Sequence, residues 1–514
     1  MADKPARRWR FPLIVSLITI AGVVFIQTAE FFEGYLRSQI TLVYLGVGLI
    51  LLAGWCIFAT GLRWRSRLTI LFSILFLVIL SKVLLRSDGA MSGSGIPRVV
   101  WRWTPKPAES VQPIAPVVEN ASVNLSTLSA QDYPQFLGTE RRSLAFSADF
   151  QTDWKTNPPR QLWRQPIGAG WSSFAIVNHY AITQEQRGEK ELVVCYDLLT
   201  GATRWVHENA AKFVEPAAGD GPRATPTVFG GNVYAMGATG ILNCLDGASG
   251  KVLWSHNILS ENNLKNLTWG KSCSPLIADD MVVVSGSDQS APSLLAYDCK
   301  TGALRWKNGA DPAGYSSPTL ATLAGIRQIL VINAESVSGH ALSDGAVLWR
   351  HPFPGTWAKA SQPIALDGDR VFISAGYGLG CAMLQISAQN GACAVKELWH
   401  TRTLKTQFST AVVRDGFAYG LDDQTLACID LTTGERKWKD GKYGYGQVLL
   451  AGSTLIIQAE AGEVALVEAS PGGFHEFAKI DALSSRTWSN PALAGEYLLV
   501  RNDREAICFK LAKK

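Results

Sequence analysis

The chain has 514 residues, with 48 Lys and Arg against 43 Asp and Glu, a formal net charge of +5 and a mean hydropathy of +0.09. A balance this even excludes a nucleic-acid binder built on phosphate neutralisation. The near-zero mean hides two regions of opposite character, and 47 Gly with 17 Trp indicate many turns and many docking aromatics.

Residues 1–86 read as an anchor of three membrane helices, about 11–32, 39–62 and 68–86. The uncharged runs 11–29 and 38–62 are each long enough to cross a bilayer. The third run is broken only by Lys82, close enough to its end to snorkel. A cleavable signal peptide is the competing reading of the first run, but no small-residue cleavage site is evident and further spans follow at once. No lipobox cysteine is present. Lys4, Arg7, Arg8 and Arg10 precede the first span, and Arg63, Arg65 and Arg67 separate the second from the third. The positive-inside rule therefore expects a cytoplasmic N-terminus in an inner (cytoplasmic) membrane, with everything after the third span in the periplasm.

Residues 87–130 turn to Gly, Ser and Pro, including Met91-Ser-Gly-Ser-Gly95 and Pro97, Pro105, Pro107, Pro113 and Pro116. This predicts a linker, flexible and then stiffer. Within it, Val99-Val-Trp-Arg-Trp103 has the aromatic and basic residues of a headgroup-layer segment, and equally reads as a solvated tether.

Residues 131–514 carry an internal repeat, D-x-x-[ST]-G-x-x-x-W. Its copies include Asp197-Leu-Leu-Thr-Gly-Ala-Thr-Arg-Trp205, Asp246-Gly-Ala-Ser-Gly-Lys-Val-Leu-Trp254, Asp298-Cys-Lys-Thr-Gly-Ala-Leu-Arg-Trp306 and Asp430-Leu-Thr-Thr-Gly-Glu-Arg-Lys-Trp438. Asp opens a turn by bonding its own backbone, Gly supplies positive φ, and the residues up to Trp form a returning strand. Trp163, Trp205, Trp254, Trp306, Trp349, Trp399, Trp438 and Phe477 follow one another at 39 to 52 residues. Short strands at this period predict an all-β eight-bladed propeller. A Trp at one fixed place per blade is read as structural docking, burying about 200 Å², worth up to roughly 5 kcal/mol. The last segment lacks a terminal Trp strand, so Leu162-Trp163-Arg164 is expected to complete it and close the ring.

The repeat resembles that of pyrroloquinoline-quinone (PQQ) type eight-bladed propellers over about 131–511. Tyr133-Pro-Gln-Phe-Leu-Gly138, Gly221-Pro-Arg-Ala-Thr-Pro-Thr227, Gly237-Ala-Thr-Gly240 and Gly314-Tyr-Ser-Ser-Pro318 add to the likeness. Relatives implied by the resemblance are the quinoprotein dehydrogenases and the scaffold lipoprotein of the outer-membrane β-barrel assembly machine.

Cys195, Cys244 and Cys428 stand two places before the repeat Asp, and Cys508 aligns with them, which marks a small buried slot. A Cys381 to Cys393 bridge within one blade is a further possibility in an oxidising compartment.

In a propeller the innermost strands line a central channel, and the loops leading into them rim one mouth. Those loops carry Trp171, Ser172, Arg223, Lys271, Tyr315, Ser316, Gln362, Gln407, Tyr445 and Trp488 as candidate ligand-binding residues. Aromatic platforms beside cations suit a planar anionic or sugar-like ligand. The plainer reading of the Ser and Thr positions is strand lead-in chemistry repeated by descent. The long loops 207–221 and 255–270 are expected to overhang this mouth.

The resemblance raises PQQ with Ca²⁺ as cofactors, but its enzyme pattern of adjacent cysteines is missing, as is C-x-x-C-H for covalent haem. No H-E-x-x-H, G-x-S-x-G or Walker pattern occurs, and no metal site is predicted. Two functions stand: a membrane-anchored binding or scaffold module of the cell envelope, holding an envelope protein or a small molecule in the channel, or a membrane-bound quinoprotein alcohol or sugar dehydrogenase passing electrons to membrane quinone.

Overall fold

The computed structural model describes residues 10–28, 34–59, 63–106, 123–146, 149–287, 292–355, 357–389 and 392–514. The chain divides into two compact units, one formed by 1–105 with 216–218, the other by 106–215 with 219–514.

The first unit holds helices α1 (Arg10–Thr28), α2 (Gly34–Gly54, running on into a π-helical turn at Trp55–Ala59) and α3 (Trp64–Leu84). All three are long and apolar enough to cross a membrane. Their large side chains face outward, as in Phe25, Ile50 and Leu77, which water penalises and lipid does not. Small residues let α1 and α2 approach, with Gly22 under the Tyr44 ring and Gly48 against Thr19. The region expected as a linker begins instead with an antiparallel hairpin, Leu85–Ala90 with Pro97–Trp101. Pro107, Pro113 and Pro116 lie outside the described residues.

The second unit is an eight-bladed propeller. Blades 1 to 7 occupy 175–209, 227–257, 276–308, 319–352, 364–401, 412–442 and 447–481, each an antiparallel meander of four strands. Blade 8 takes three strands from 492–510 and its outermost from Arg160–Pro166, with Trp163 opposite Cys508. The ring is therefore closed by pairing the first strand of the wheel with the last.

Two belts join the blades. In the outer belt, six of the seven repeat indoles donate their N–H to a turn carbonyl of the following blade: Trp163 to Leu198 at 2.9 Å, Trp205 to Gly247 at 2.9 Å, Trp254 to Cys299 at 2.9 Å, Trp306 to Leu342 at 3.0 Å, Trp399 to Leu431 at 3.2 Å and Trp438 to Ser470 at 2.9 Å. The repeat glycine of that same turn lies on the indole. A Cβ added at Gly201, Gly250, Gly302, Gly345 or Gly434 would stand 2.5 to 2.9 Å from the Trp of the preceding blade. Trp349 departs from the pattern, donating to Gln328 Oε1 of its own blade at 2.5 Å. The turn that would receive it belongs to the lengthened hairpin of blade 5, whose tip at 390–391 lies outside the described residues. Phe477 has no N–H to give; its ring meets His475 edge-on at 4.8 Å and packs on the core shared by blades 7, 8 and 1.

The inner belt runs through the lead-in loops. Ser173 N donates to Thr225 Oγ1 at 3.0 Å, Thr225 N to Ser274 Oγ at 2.9 Å, Ser274 N to Ser317 Oγ at 2.9 Å, and Gln362 N to Thr410 Oγ1 at 3.1 Å. Each hydroxyl belongs to the next blade, so the repeated Ser and Thr tie neighbours together.

Cys195, Cys244, Cys428 and Cys508 are fully buried, each across the strand pair from a repeat Trp. Burial pushes the Cys244 and Cys508 thiols up to about 12. A Cys381 to Cys393 bridge does not form: Cys381 faces Thr401 and Cys393 faces Ala388, at opposite ends of one hairpin, and both are free.

Two consequences are measurable. Gly250 (φ +71°) and Gly416 (φ +82°) share a backbone conformation, but nothing lies within 4 Å of a Cβ at Gly416. Gly416→Ala should cost about 1–2 kcal/mol from left-handed strain, and Gly250→Ala roughly 2–5 kcal/mol because overpacking against Trp205 adds to it; thermal melts of the two variants will rank them. Asp298 accepts hydrogen bonds from Thr301 N and Oγ1 at 2.8 and 2.9 Å and from Arg305 Nε at 3.1 Å. Arg305 first, then the Thr301 bonds, hold its carboxyl well below the usual carboxylate range. A folded-state pKa below the unfolded value of about 3.9 gives stability that is complete above that pH and lost as pH falls toward the folded value. The Tm gap between the chain and its Asp298→Asn variant should therefore be full at pH 7 and shrink below about pH 4.

Candidate binding site at the propeller mouth

The chain itself enters the channel. Tyr133 and Ile176 exchange backbone hydrogen bonds at 2.9 and 2.7 Å, Pro134 O accepts from Val228 N at 2.8 Å, and Leu144–Ala145 runs parallel to Gln447–Ala451. Ile176, Val228 and Leu450 lie on the free edges of the innermost strands of blades 1, 2 and 7. Those edges face the channel, so residues 133–145 lie inside it. Arg141 reaches blade 3, donating to Ser274 O at 2.9 Å and Pro275 O at 3.0 Å. The segment is coiled tightly enough to place Leu137, Gly138, Arg141 and Ser143 at positive φ, and Tyr133, Leu137, Arg141 and Ser143 are buried. Non-glycine residues hold such angles where their surroundings over-determine them. The segment comes in beside the turns that follow the innermost strands, where Asn178 N donates to Asp132 at 3.0 Å and Gly495 N to Gln131 O at 3.2 Å. It thus forms the floor of the mouth at the other end.

That mouth carries a continuous aromatic cluster. Trp171 lies 5.0 Å from Trp488 between ring centroids, Trp488 lies 5.1 Å from Phe408, and Phe408 lies 6.0 Å from Tyr445. The guanidinium of Arg486 sits 4.2 Å over Trp488 and 5.0 Å over Trp171. Glu460 braces the group from the turn between the second and third strands of blade 7. It accepts from Trp488 Nε1 at 2.7 Å and from Tyr445 N at 3.2 Å. Gln447 Nε2 donates to the carbonyls of Phe408 and Trp488 at 3.2 and 2.9 Å. Around the rest of the rim, Trp269 meets Tyr315 at 5.4 Å and Trp357 meets Tyr377 at 5.7 Å.

Of the candidate residues, Trp171, Tyr445 and Trp488 come together, Trp171 and Tyr445 buried and Trp488 half-buried. Tyr315 joins the rim with Trp269, whose backbone N–H donates to the Tyr315 hydroxyl at 3.2 Å. Arg223 bonds the carbonyls of Gly219 and Gly221 and stacks 4.6 Å over Phe213 from the long loop 207–221. Burial lowers its pKa to about 10, against the opposing pull of Glu215, Glu191 and Asp220. Lys271 is fully buried and its Nζ bonds Ser285 O at 2.7 Å, Ser285 Oγ at 2.9 Å and Gly286 O at 2.5 Å. Its ammonium is thus engaged with its own blade. Ser172, Ser316, Gln362 and Gln407 are also buried. Ser172 Oγ accepts from Gln184 N at 3.2 Å and from Thr183 Oγ1 at 3.2 Å, and Ser316 Oγ donates to Gln362 Oε1 at 3.3 Å.

Sequence reasoning passed over Phe408, Arg486 and Glu460 as site residues. The first two sit inside lead-in loops and were open to view. Glu460 was not, because it lies in the turn between a second and third strand; alternation of strand direction brings those turns to the same mouth. Arg501 was missed too. It is fully buried and donates to Gln184 O, Gly168 O and Gly170 O at 2.8, 3.1 and 3.2 Å, which fixes the loop that presents Trp171. Burial lowers its pKa to about 10, with Glu185 opposing.

The fold is that of an eight-bladed β-propeller preceded by three apolar helices. Residues 189–440, just under half of the chain, match the family model described as outer membrane protein assembly factor BamB. Among solved structures, BamB from Moraxella catarrhalis is 16% identical, over 69% of this chain and 98% of that one, with a TM-score of 0.49. Quinohemoprotein alcohol dehydrogenase from Comamonas testosteroni is 10% identical over 75% and 81%, TM-score 0.55. The quinohemoprotein alcohol dehydrogenase ADHIIG from Pseudomonas putida HK5 is 11% identical over 77% and 83%, TM-score 0.54. Identities this low speak to the fold alone. No curated protein matches the chain in sequence.

PQQ with Ca²⁺, which the dehydrogenase likeness raises, does not fit the residues present. Residues 133–145 occupy part of the channel beneath the mouth, and Lys271 and Arg223 are engaged with backbone carbonyls. Among the described residues, no three His, Cys, Asp or Glu side chains are grouped to hold a metal ion.

Proposed function

We propose that this protein is a binding module of the cell envelope, held by its three helices in the inner membrane with the N-terminus in the cytoplasm and the propeller in the periplasm. Its aromatic mouth takes a segment of an envelope protein. The observation that carries this reading is the mouth itself: four linked aromatic rings and a stacked arginine over a floor made by the protein's own chain. Phe408, Arg486 and Trp488 are half-buried there, and Trp and Arg are among the residue types that dominate binding energy at protein interfaces. The name of the matching family, an assembly factor for outer membrane proteins, points the same way. The basic residues before α1 and between α2 and α3 support the orientation.

The test is crosslinking in intact membranes followed by isolation of the full chain. Trp488→Ala should reduce recovery of the envelope partner at least tenfold, consistent with loss of a hot spot of about 2 kcal/mol or more. A variant at an outer-belt exposed residue, Leu253→Ala, should leave recovery unchanged. Equal recovery from all three proteins, or saturable PQQ binding with alcohol-dependent dye reduction, would overturn the reading.

A further inference from the structure

Immediately after α3 the chain folds back on itself. Leu85 lies opposite Trp101 and Ser87 opposite Val99 in the hairpin Leu85–Ala90 with Pro97–Trp101. The hairpin grows out of the helix without an intervening loop. Leu85 N donates to Ser81 O, Arg102 N to Leu84 O at 2.8 Å, and Arg102 Nε to Lys82 O at 3.2 Å. Carbonyls at a helix end need partners, and in an apolar layer water does not supply them. Here the hairpin supplies them, and it sets a guanidinium at the negative end of the helix dipole.

The second strand alternates. Pro97, Val99 and Trp101 are exposed, while Arg98 and Val100 on the other face are half-buried. Trp101 and Trp103 stack with centroids 5.1 Å apart and planes 10° from parallel, although they are 50% and 66% exposed. Val99 is 57% exposed and Val83, in the last turn of α3, 61%. A two-stranded hairpin is marginal in water, and an outward apolar face makes it more so. Arg86 is fixed by Asp88 at 2.8 Å and by Thr104 O at 2.7 Å, which neutralises the hairpin's one acidic residue and leaves Arg98 and Arg102 as its net charge.

We infer that this hairpin is an interfacial foot: Val99, Trp101 and Trp103 bed in the lipid headgroup layer at the C-terminal end of α3, with Arg102 at a lipid phosphate. The occupant follows from two observations. The exposed apolar face is continuous along the chain with a helix of membrane-crossing length, and indoles beside cations match the chemistry of that layer. The foot fixes the depth of α3 and gives the linker a set starting point. This inference rests on the membrane reading of the helices.

The test is quenching of tryptophan emission from the full chain in vesicles of phosphatidylethanolamine and phosphatidylglycerol carrying a lipid brominated near its headgroup. Trp55 and Trp64, at the opposite ends of α2 and α3, report on the anchor in every sample. The chain should lose a larger fraction of emission than its Trp101→Ser/Trp103→Ser variant, the difference being that of two among 17 indoles. Should that variant fail to fold, Trp101→Phe with Trp103→Phe removes the reporters and keeps the apolar face, and should show the same reduction. Equal quenching of chain and variant overturns the foot and leaves the anchor standing. Quenching of neither overturns the anchor, and the foot with it.

Discussion

A propeller blade can bury its two faces only against its neighbours, so the structure depends on how one sheet is joined to the next. Here the join is an indole N–H donated across the gap to a turn carbonyl, with a glycine of that turn seated on the indole face. The repeat Asp shapes the turn, its Gly makes room for the preceding Trp, and its own Trp reaches the following blade. One nine-residue motif thus works in three blades at once. The hydroxyl belt at the lead-in loops repeats the logic near the axis, where Ser and Thr oxygens accept backbone N–H groups of the adjacent blade. Between the two belts the blade cores are apolar and fully buried.

A wheel closed this firmly leaves its ends free for function. One end receives residues 133–145, which turn a channel into a bowl. The other gathers aromatics contributed by separate blades, brought together because each lead-in loop places its residue on the axis side. Arg501 and Glu460 hold two of those loops from below and from the side. The rigidity of the mouth is therefore a consequence of closure: each aromatic is fixed by a different blade, and the blades are fixed by one another. A rigid aromatic surface binds without much loss of side-chain entropy, the property expected of a recognition surface.

The architecture was legible in the sequence because its cause is local. Trp205, Trp254, Trp306 and Trp438 stand at one offset from an Asp and a Gly, and that offset is the turn and strand that dock them. Positions of the same type lost legibility where a neighbour changed. Trp349 turns into its own blade, where Gln328 Oε1 takes its N–H, a partner 21 residues away that the repeat pattern does not specify. Lys271 looked like a rim cation, yet whether such a side chain turns toward the axis or into the sheet depends on the carbonyls of Ser285 and Gly286. The segment inside the channel was the least visible feature. Tyr133-Pro-Gln-Phe-Leu-Gly138 was recognisable as a family-like segment, but its partners Ile176 and Val228 lie far along the chain, and Ser143, just after it, bonds Val448 some three hundred residues away.

Exchange of the indole N–H protons tests the central claim most directly, read by NMR on full-length protein with ¹⁵N-labelled tryptophan. Trp163, Trp205, Trp254, Trp306, Trp399 and Trp438 should exchange far more slowly than the indole of free tryptophan, because each donates across a blade junction. Exchange of those six as fast as free tryptophan would mean that the indoles do not bridge the blades, and the closed wheel with its pre-set mouth would have no basis.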